Sequence, residues 1–350
     1  MRPSYFVRPD AWRVVLVVAV VGLLGVVVGP SASNDPSGVV SDQGAFDHAD
    51  SRANGDESVT GGTSGGAEPV GPTDPEAPKE PIRVAVTATG VPVAVVDHTP
   101  QGHVVTSPCG TSVVLDAVTA LDPVTVVLDP GHGGPVDTGA VGPNGLRESD
   151  INLAVAQAVA SELEDRGISA ALTRTADYAL PIQVRTAFAE AAEADLMLSV
   201  HHNAPASARS AVPGTEVYVQ STSAESGRLG GIVYEETMAS LARFDVAWTR
   251  RHDAGVVQVL LADGRDAYGI LRLSPVPTAL VELGYLANPS EAAFFATDAY
   301  VAAVATALAD STESYLTTDR AGDGHVQPAR NFTPRRSHAP DECADPPLGD

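Results

Sequence analysis

A chain of 350 residues with 44% hydrophobic content is long enough for one large domain or two modest ones and can bury a core. Its formal net charge of -23 excludes nucleic acid as a partner and gives no electrostatic drive toward an anionic surface, so any ligand has to be recognised by shape and polar contacts. The two cysteines, Cys109 and Cys343, sit in no metal-binding or thiol-nucleophile pattern, which removes cysteine catalysis from the options.

Residues 1–33 read as a secretory signal peptide. Arg2, Arg8 and Arg13 precede an apolar run from Val14 to Val28, and Ser31-Ala32-Ser33 supplies a small-residue exit. The alternative, a permanent anchor, needs about 20 apolar residues, and this run falls short. Export to the cell envelope or the medium follows, with membrane contact only through this N-terminal segment. Residues 34–81 are rich in Gly, Ser, Pro, Asp and Glu, a composition that cannot offset its ordering entropy and reads as a disordered acidic linker. In an exported chain the isolated cysteine pair reads as a disulfide, the alternative being two free thiols. It would fasten the C-terminal tail to the region just ahead of residue 123.

Residues 82–122 carry four short β-branched runs, at 83–86, 91–96, 103–106 and 112–115, punctuated by Gly, Pro and Asp. They predict a small β-rich, SH3-like module. From residue 123 to 317 strands and helices alternate. Val124–Leu128 predicts a buried strand; a helix capped by Ser149 or Asp150 follows, with Ile151, Val155, Val159 and Leu163 on one face and Gly167 as its stop. Further strands are predicted over 168–173, 195–200, 215–220 and 279–282, and helices over 182–193, 226–244 and 292–315. This alternation predicts an α/β fold, a sheet with helices on both faces. Residues 318–350 show no periodicity and predict a loose tail except near Cys343.

Three metal-type side chains fall at equivalent places in that layout. His132 lies in the turn Asp129-Pro130-Gly131-His132-Gly133-Gly134 after the first strand, Glu148 at the start of the next helix, and His201 at the end of the strand Leu196–Val200. Strand ends are where sites gather in open α/β sheets. Two imidazoles and one carboxylate suit Zn²⁺ and leave a position open, as a catalytic site requires. Each residue alone also has a plain structural reading: a surface His, a helix-dipole partner, a strand-end His. The glycines around His132 favour a backbone pressed close around something.

The chain here resembles the zinc-dependent N-acetylmuramoyl-L-alanine amidases of the amidase type 3 family, the bacterial cell-wall amidases. The resemblance runs from about Thr125 to Leu316, through VVLDPGHGG (126–134), DTGAVGPNG (137–145), ESDINLA (148–154), TRTADYALPIQVR (173–185), SVHHNA (199–204), GTEVYV (214–219) and YGILRLSPVPTALVELGYLANPSEAAFF (268–295). It implies a mixed sheet of roughly six strands, zinc ligands at His132, Glu148 and His201, and a catalytic glutamate at Glu282. His202 falls in a variable slot, outside the ligand set. The substrate implied is peptidoglycan, contacted through glycan strand and stem peptide by a monomer and cut between N-acetylmuramic acid and L-alanine. Asn203 or an arginine would help hold the developing oxyanion, while Arg174 and Arg185 read as structural. Some relatives carry a long helix that plugs the zinc; the segment between His201 and Glu282 has room for one obvious helix, so this chain reads as lacking the plug. A zinc peptidase acting on stem-peptide amides, and a non-catalytic wall-binding protein on the same scaffold, are the rival readings.

Overall fold

The computed structural model describes residues 81–121, 123–204, 207–332 and 343–349. The signal segment and, but for its last residue, the linker lie outside the described residues. No single described helix is long and apolar enough to cross a membrane.

The first part of the described chain is an antiparallel sheet of five strands, β1 (Val84–Val86), β2 (Pro92–Thr99), β3 (Gly102–Thr106), β4 (Ser112–Leu115) and β5 (Thr119–Ala120), in the order β4-β3-β2-β1-β5. The fifth strand was not legible in the sequence. It is two residues long and pairs with β1 through Ala85 and Val86. Ala85, Val91, Val93 and Val105 make a small core that is closed by Tyr178, Leu180 and Val184 of the next domain. So few apolar residues do not sustain an independent fold, and the sheet borrows the rest.

The larger part runs β6 (Val126–Pro130), α1 (Glu148–Asp165), β7 (Ala170–Leu172), α2 (Ile182–Ala191), β8 (Leu196–Asn203), β9 (Ala208–Ser210), β10 (Glu216–Val219), α3 (Ala224–Leu241), β11 (Trp248–Thr249), β12 (Val256–Val257), β13 (Val259–Leu260), α4 (Gly269–Leu273), β14 (Thr278–Tyr285), α5 (Pro289–Phe295), α6 (Asp298–Thr317) and β15 (Arg330–Asn331). Six of these strands form one mixed sheet, β12-β10-β14-β8-β6-β7, in which β10 and β14 alone run antiparallel to each other. Its central strands are apolar on both faces because both are covered. Val126, Leu128, Leu198 and Val200 face α1, α3 and α6, whereas Val127, Met197 and Leu280 face α2 and α4. The α/β sheet with helices on both faces is therefore the architecture.

In α1 the four apolar residues spaced by four are all buried, each contributing about 1.5–3 kcal/mol. The helix ends as its sequence indicates, with Gly167 at φ 75 and the Ile168 amide donating to the Leu163 carbonyl at 2.9 Å. Its start differs. Arg147, with no side-chain cap, precedes Glu148 as the first helical residue, so neither Ser149 nor Asp150 caps it. The helix expected over 292–315 is two helices, α5 and α6, bent by 80°. Asn288 caps the first and Thr297 the second, each accepting from backbone amides ahead of it.

The tail also departs from expectation. Residues 318–332 lie across the sheet's β12 edge. Gly322 packs against Gly231 of α3, the Gln327 amide donates to the Val256 carbonyl at 2.9 Å, and β15 pairs in parallel with β13. Backbone pairing and the half-buried Phe332, packed against the core, hold this strap, signals that no local periodicity reveals. Cys109 and Cys343 are bridged, with Cα atoms 5.7 Å apart, and Leu348 packs on the five-stranded sheet.

Candidate metal centre

The end of the sheet where β6, β8 and β14 finish carries the metal-type side chains. Register places Glu216 of β10 opposite Glu282 of β14, and Glu282 opposite His201 of β8. In-register neighbours share a face, so these three form one row of buried side chains across the strand ends. His202, one residue on, points to the other face by the period of two. It lies 2.7 Å from Asn152 Oδ1 and 2.5 Å from the Tyr300 hydroxyl, and burial pushes its pKa down to about 3. It belongs to the core.

His132 follows β6 after Gly131 and stands at φ 60, a left-handed conformation uncommon outside glycine. Two glycines permit the close approach. A Cβ on Gly131 would strike the His201 ring, and one on Gly139 would lie 2.6 Å from Glu148 Oε2 and 2.7 Å from His132 Cδ2. Helix α1 begins at Glu148 and aims its carboxylate between the two imidazoles. Glu148 Oε1 is 3.2 Å from His132 Nε2 and 3.0 Å from His201 Nδ1, and the ligand atoms of the three residues lie within 4.8 Å of one another. The remaining bonds fix the carboxylate: the Ala140 amide donates to Oε2 at 2.8 Å and the His202 amide to Oε1 at 3.1 Å. Asp137, unassigned by the sequence reading although it opens the quoted DTGAVGPNG motif, holds His132 Nδ1 at 2.6 Å. A carboxylate behind a ligand imidazole fixes its tautomer and orientation.

The electrostatics favour positive charge at the point where these side chains meet. Burial opposes charging of His132, but Glu148 and Asp137 outweigh it and push its pKa up to about 10. Burial likewise opposes ionisation of Glu148, yet the two histidines hold its carboxyl well below the usual range. His201 is lowered by burial. His132 Nε2 is buried and makes no hydrogen bond. An orphaned imidazole nitrogen beside a carboxylate and a second imidazole fits a borderline cation such as Zn²⁺ and its preference for nitrogen and oxygen donors. This is the one cluster of three or more potential ligands among the described residues.

A second layer holds the turn in place. Arg174 and Arg185 are buried and donate to carbonyls of the turn and of the segments beside it. Arg174 reaches Pro130 O at 2.9 Å, Gly131 O at 3.0 Å and Ser149 O at 2.7 Å; Arg185 reaches Pro130 O and His132 O, each at 2.8 Å. Arg185 also pairs with buried Asp129 at 2.7 Å, and Asp129 accepts from Thr173 and Ser199. Burial disfavours the Asp129 anion, but Arg185 and the two hydroxyls outweigh it and lower its pKa. Asp177 pairs with Arg147 at 3.0 Å. Asn203 is already engaged: its Nδ2 donates to Glu216 Oε2 at 2.9 Å and its Oδ1 accepts from the Ala204 amide at 2.8 Å.

Between His201 and Glu282 the described residues hold α3 and the five-residue α4, both packed against the sheet.

Comparison with known proteins identifies the family. Residues 126–314 match the family model described as N-acetylmuramoyl-L-alanine amidase. The chain is 35% identical over 213 residues to the uncharacterized protein YqiI of Bacillus subtilis, covering 59% of this chain and 94% of that one. It is 31% identical over 224 residues to N-acetylmuramoyl-L-alanine amidase AmiA of Escherichia coli, covering 55% of this chain and 75% of that one. Among solved structures, amidase AmiC2 of Nostoc punctiforme aligns at 32% identity over 55% of this chain and 97% of that chain, with a TM-score of 0.47. With its matched region holding more than half of its residues, the chain belongs to the N-acetylmuramoyl-L-alanine amidase family of bacterial cell-wall enzymes.

Proposed function

We propose that this amidase is an exported, monomeric zinc enzyme that cuts peptidoglycan between the lactyl group of N-acetylmuramic acid and L-alanine, with His132, Glu148 and His201 as the metal ligands and Glu282 as general base and acid. The observation that carries this reading is the convergence of His132, Glu148 and His201 at the strand ends, with Glu282 in register beside His201. Export rests on the N-terminal arginines and apolar run, and on a wall substrate lying outside the cytoplasm.

Zinc held there supplies Lewis acidity that polarises a carbonyl and lowers the pKa of water to about 7. The chain's own residues do the rest. Asp137 keeps the His132 ring turned with Nε2 inward, and Arg174 and Arg185 keep the turn that carries it from relaxing. Glu282, buried at the strand end, accepts the proton of the attacking water and returns it to the departing L-alanine amine. Holding the carboxylate on a central strand rather than a loop keeps that transfer in line.

Digestion of purified peptidoglycan with and without a chelator, followed by mass spectrometry, tests the reading. Free stem peptides beginning with L-alanine, lost on chelation and restored by zinc, are expected. Shortened stems still attached to sugar would replace the amidase by a peptidase, and no product would replace it by a binder. Glu282→Gln is expected to keep its metal and lose turnover by at least about a hundredfold, the usual size of a lost general acid–base group. Normal digestion by that variant sinks the mechanism.

A further inference from the structure

Beyond residue 314, where the family match ends, the strap of residues 318–332 delivers a guanidinium to the row of carboxylates. Arg330, on β15, places Nη1 2.6 Å from Glu216 Oε1, Nε 2.6 Å from Asp253 Oδ2, and donates from Nη2 to the Asp253 carbonyl at 2.8 Å. Glu216 has no exposed surface, and its other oxygen accepts from the Tyr285 hydroxyl at 2.8 Å and Asn203 Nδ2 at 2.9 Å. Asn203 is two residues beyond His201, and Tyr285 three beyond Glu282. The row thus reads Arg330, Glu216, Glu282, His201 across β15, β10, β14 and β8. Two neighbouring buried carboxylates repel each other, and an ion-paired guanidinium is what holds the outer one as a fixed anchor.

We propose that Arg330 is a positioning residue for the amidase reaction: by clamping Glu216 it fixes Asn203 and Tyr285, the side chains that brace the strand ends bearing His201 and Glu282. The inference rests on the metal centre and general base described above. It makes the strap part of the active site rather than a trailing segment. The role needs a planar fork that spans two acids, Glu216 and Asp253, and a lysine ammonium offers only a single point charge.

The test uses the full chain with Arg330→Met, Arg330→Lys and the double variant Glu216→Gln/Arg330→Met. Melting temperature, metal per chain, kcat and KM are measured well below each melting temperature. The double variant removes the buried Glu216 charge together with its partner and leaves only partly exposed Asp253 unpaired by Arg330, so it is the less destabilised of the two methionine variants. Positioning predicts that Arg330→Lys and the double variant keep one metal per chain and a KM within threefold of the parent, while kcat falls about tenfold or more, the scale of a small misplacement at a reacting centre. A purely structural salt bridge predicts that kcat returns with the melting temperature in both. Parental kcat in either variant, or loss of metal in both, overturns the proposal. If chelation leaves the parent active, the metal reading has failed instead, and the two failures are told apart.

Discussion

The six-stranded sheet buries Asp129, Glu148, Glu216, Glu282 and Arg185 around the ends of its strands, whereas the five-stranded sheet buries almost only aliphatic side chains, with Thr87 and Ser107 in its turns as the polar exceptions. The first can carry that charge because every strand around it is covered by helices and each buried ion has a partner or a metal-type neighbour. The second has a core too small to stand alone, so it is held from outside, by Tyr178 and Leu180 beneath it and by the bridge from Cys109 to Cys343. The difference teaches where each is vulnerable: the large sheet to a broken charge pair, the small one to a lost tether.

Three experiments break or sharpen that contrast. The largest effect should come from Arg185→Met, which strands the Asp129 carboxylate and releases the carbonyls of Pro130 and His132. Breaking a buried pair from one side costs about 3–5 kcal/mol, to be read from denaturant unfolding. A loss below about 1 kcal/mol would mean that the turn is braced elsewhere.

Next comes the tether. With Cys109→Ser and Cys343→Ser together, about 2–4 kcal/mol should be lost, the usual contribution of a disulfide. Hydrogen exchange should accelerate in β1 to β5 and much less in β6, β8 and β14, because those strands do not depend on the bridge for their core. Uniform acceleration would show that the two sheets unfold as one unit.

The smallest effect concerns pH. Glu291 is fully buried at the start of α5, and burial pushes its carboxyl up to about 7, although the Tyr285 and Thr249 amides favour the anion. A carboxyl whose folded pKa lies above the ordinary 4.5 binds more protons folded than unfolded. Its contribution therefore makes stability fall as pH rises from about 4.5 through about 7. Glu291→Gln should remove that fall and gain up to about 3 kcal/mol relative to the parent at pH 8. Parallel stability curves for the two proteins between pH 4.5 and 8 would refute it.

Much was legible in the sequence because it is local. The spacing of Ile151, Val155, Val159 and Leu163 defines α1 and the face it buries, Gly167 stops it, and continuous apolar runs mark the central strands. The glycines of the His132 turn announced the close approach that Gly131 makes to His201; the matching approach of Gly139 to Glu148 was not legible there. His132, Glu148 and His201 were identifiable because each sits at a strand end or helix start, and α/β topology brings such positions together.

Only the tertiary structure decided what depends on neighbours far along the chain. The break between α5 and α6 lies in a sequence whose helical pattern continues through it, and the capping Thr297 is conspicuous only once the bend is seen. Asp137 behind His132, Asp129 beneath the turn and Glu216 beside Glu282 are ordinary acids until strand register and burial give them partners. The strap is the clearest case. Nothing local marks Arg330, since its role exists only where a parallel pairing with β13 carries it to a carboxylate 114 positions earlier, close to His201 and Glu282. Periodicity records how a segment meets its own surroundings; a charge buried between distant segments is recorded only in the fold.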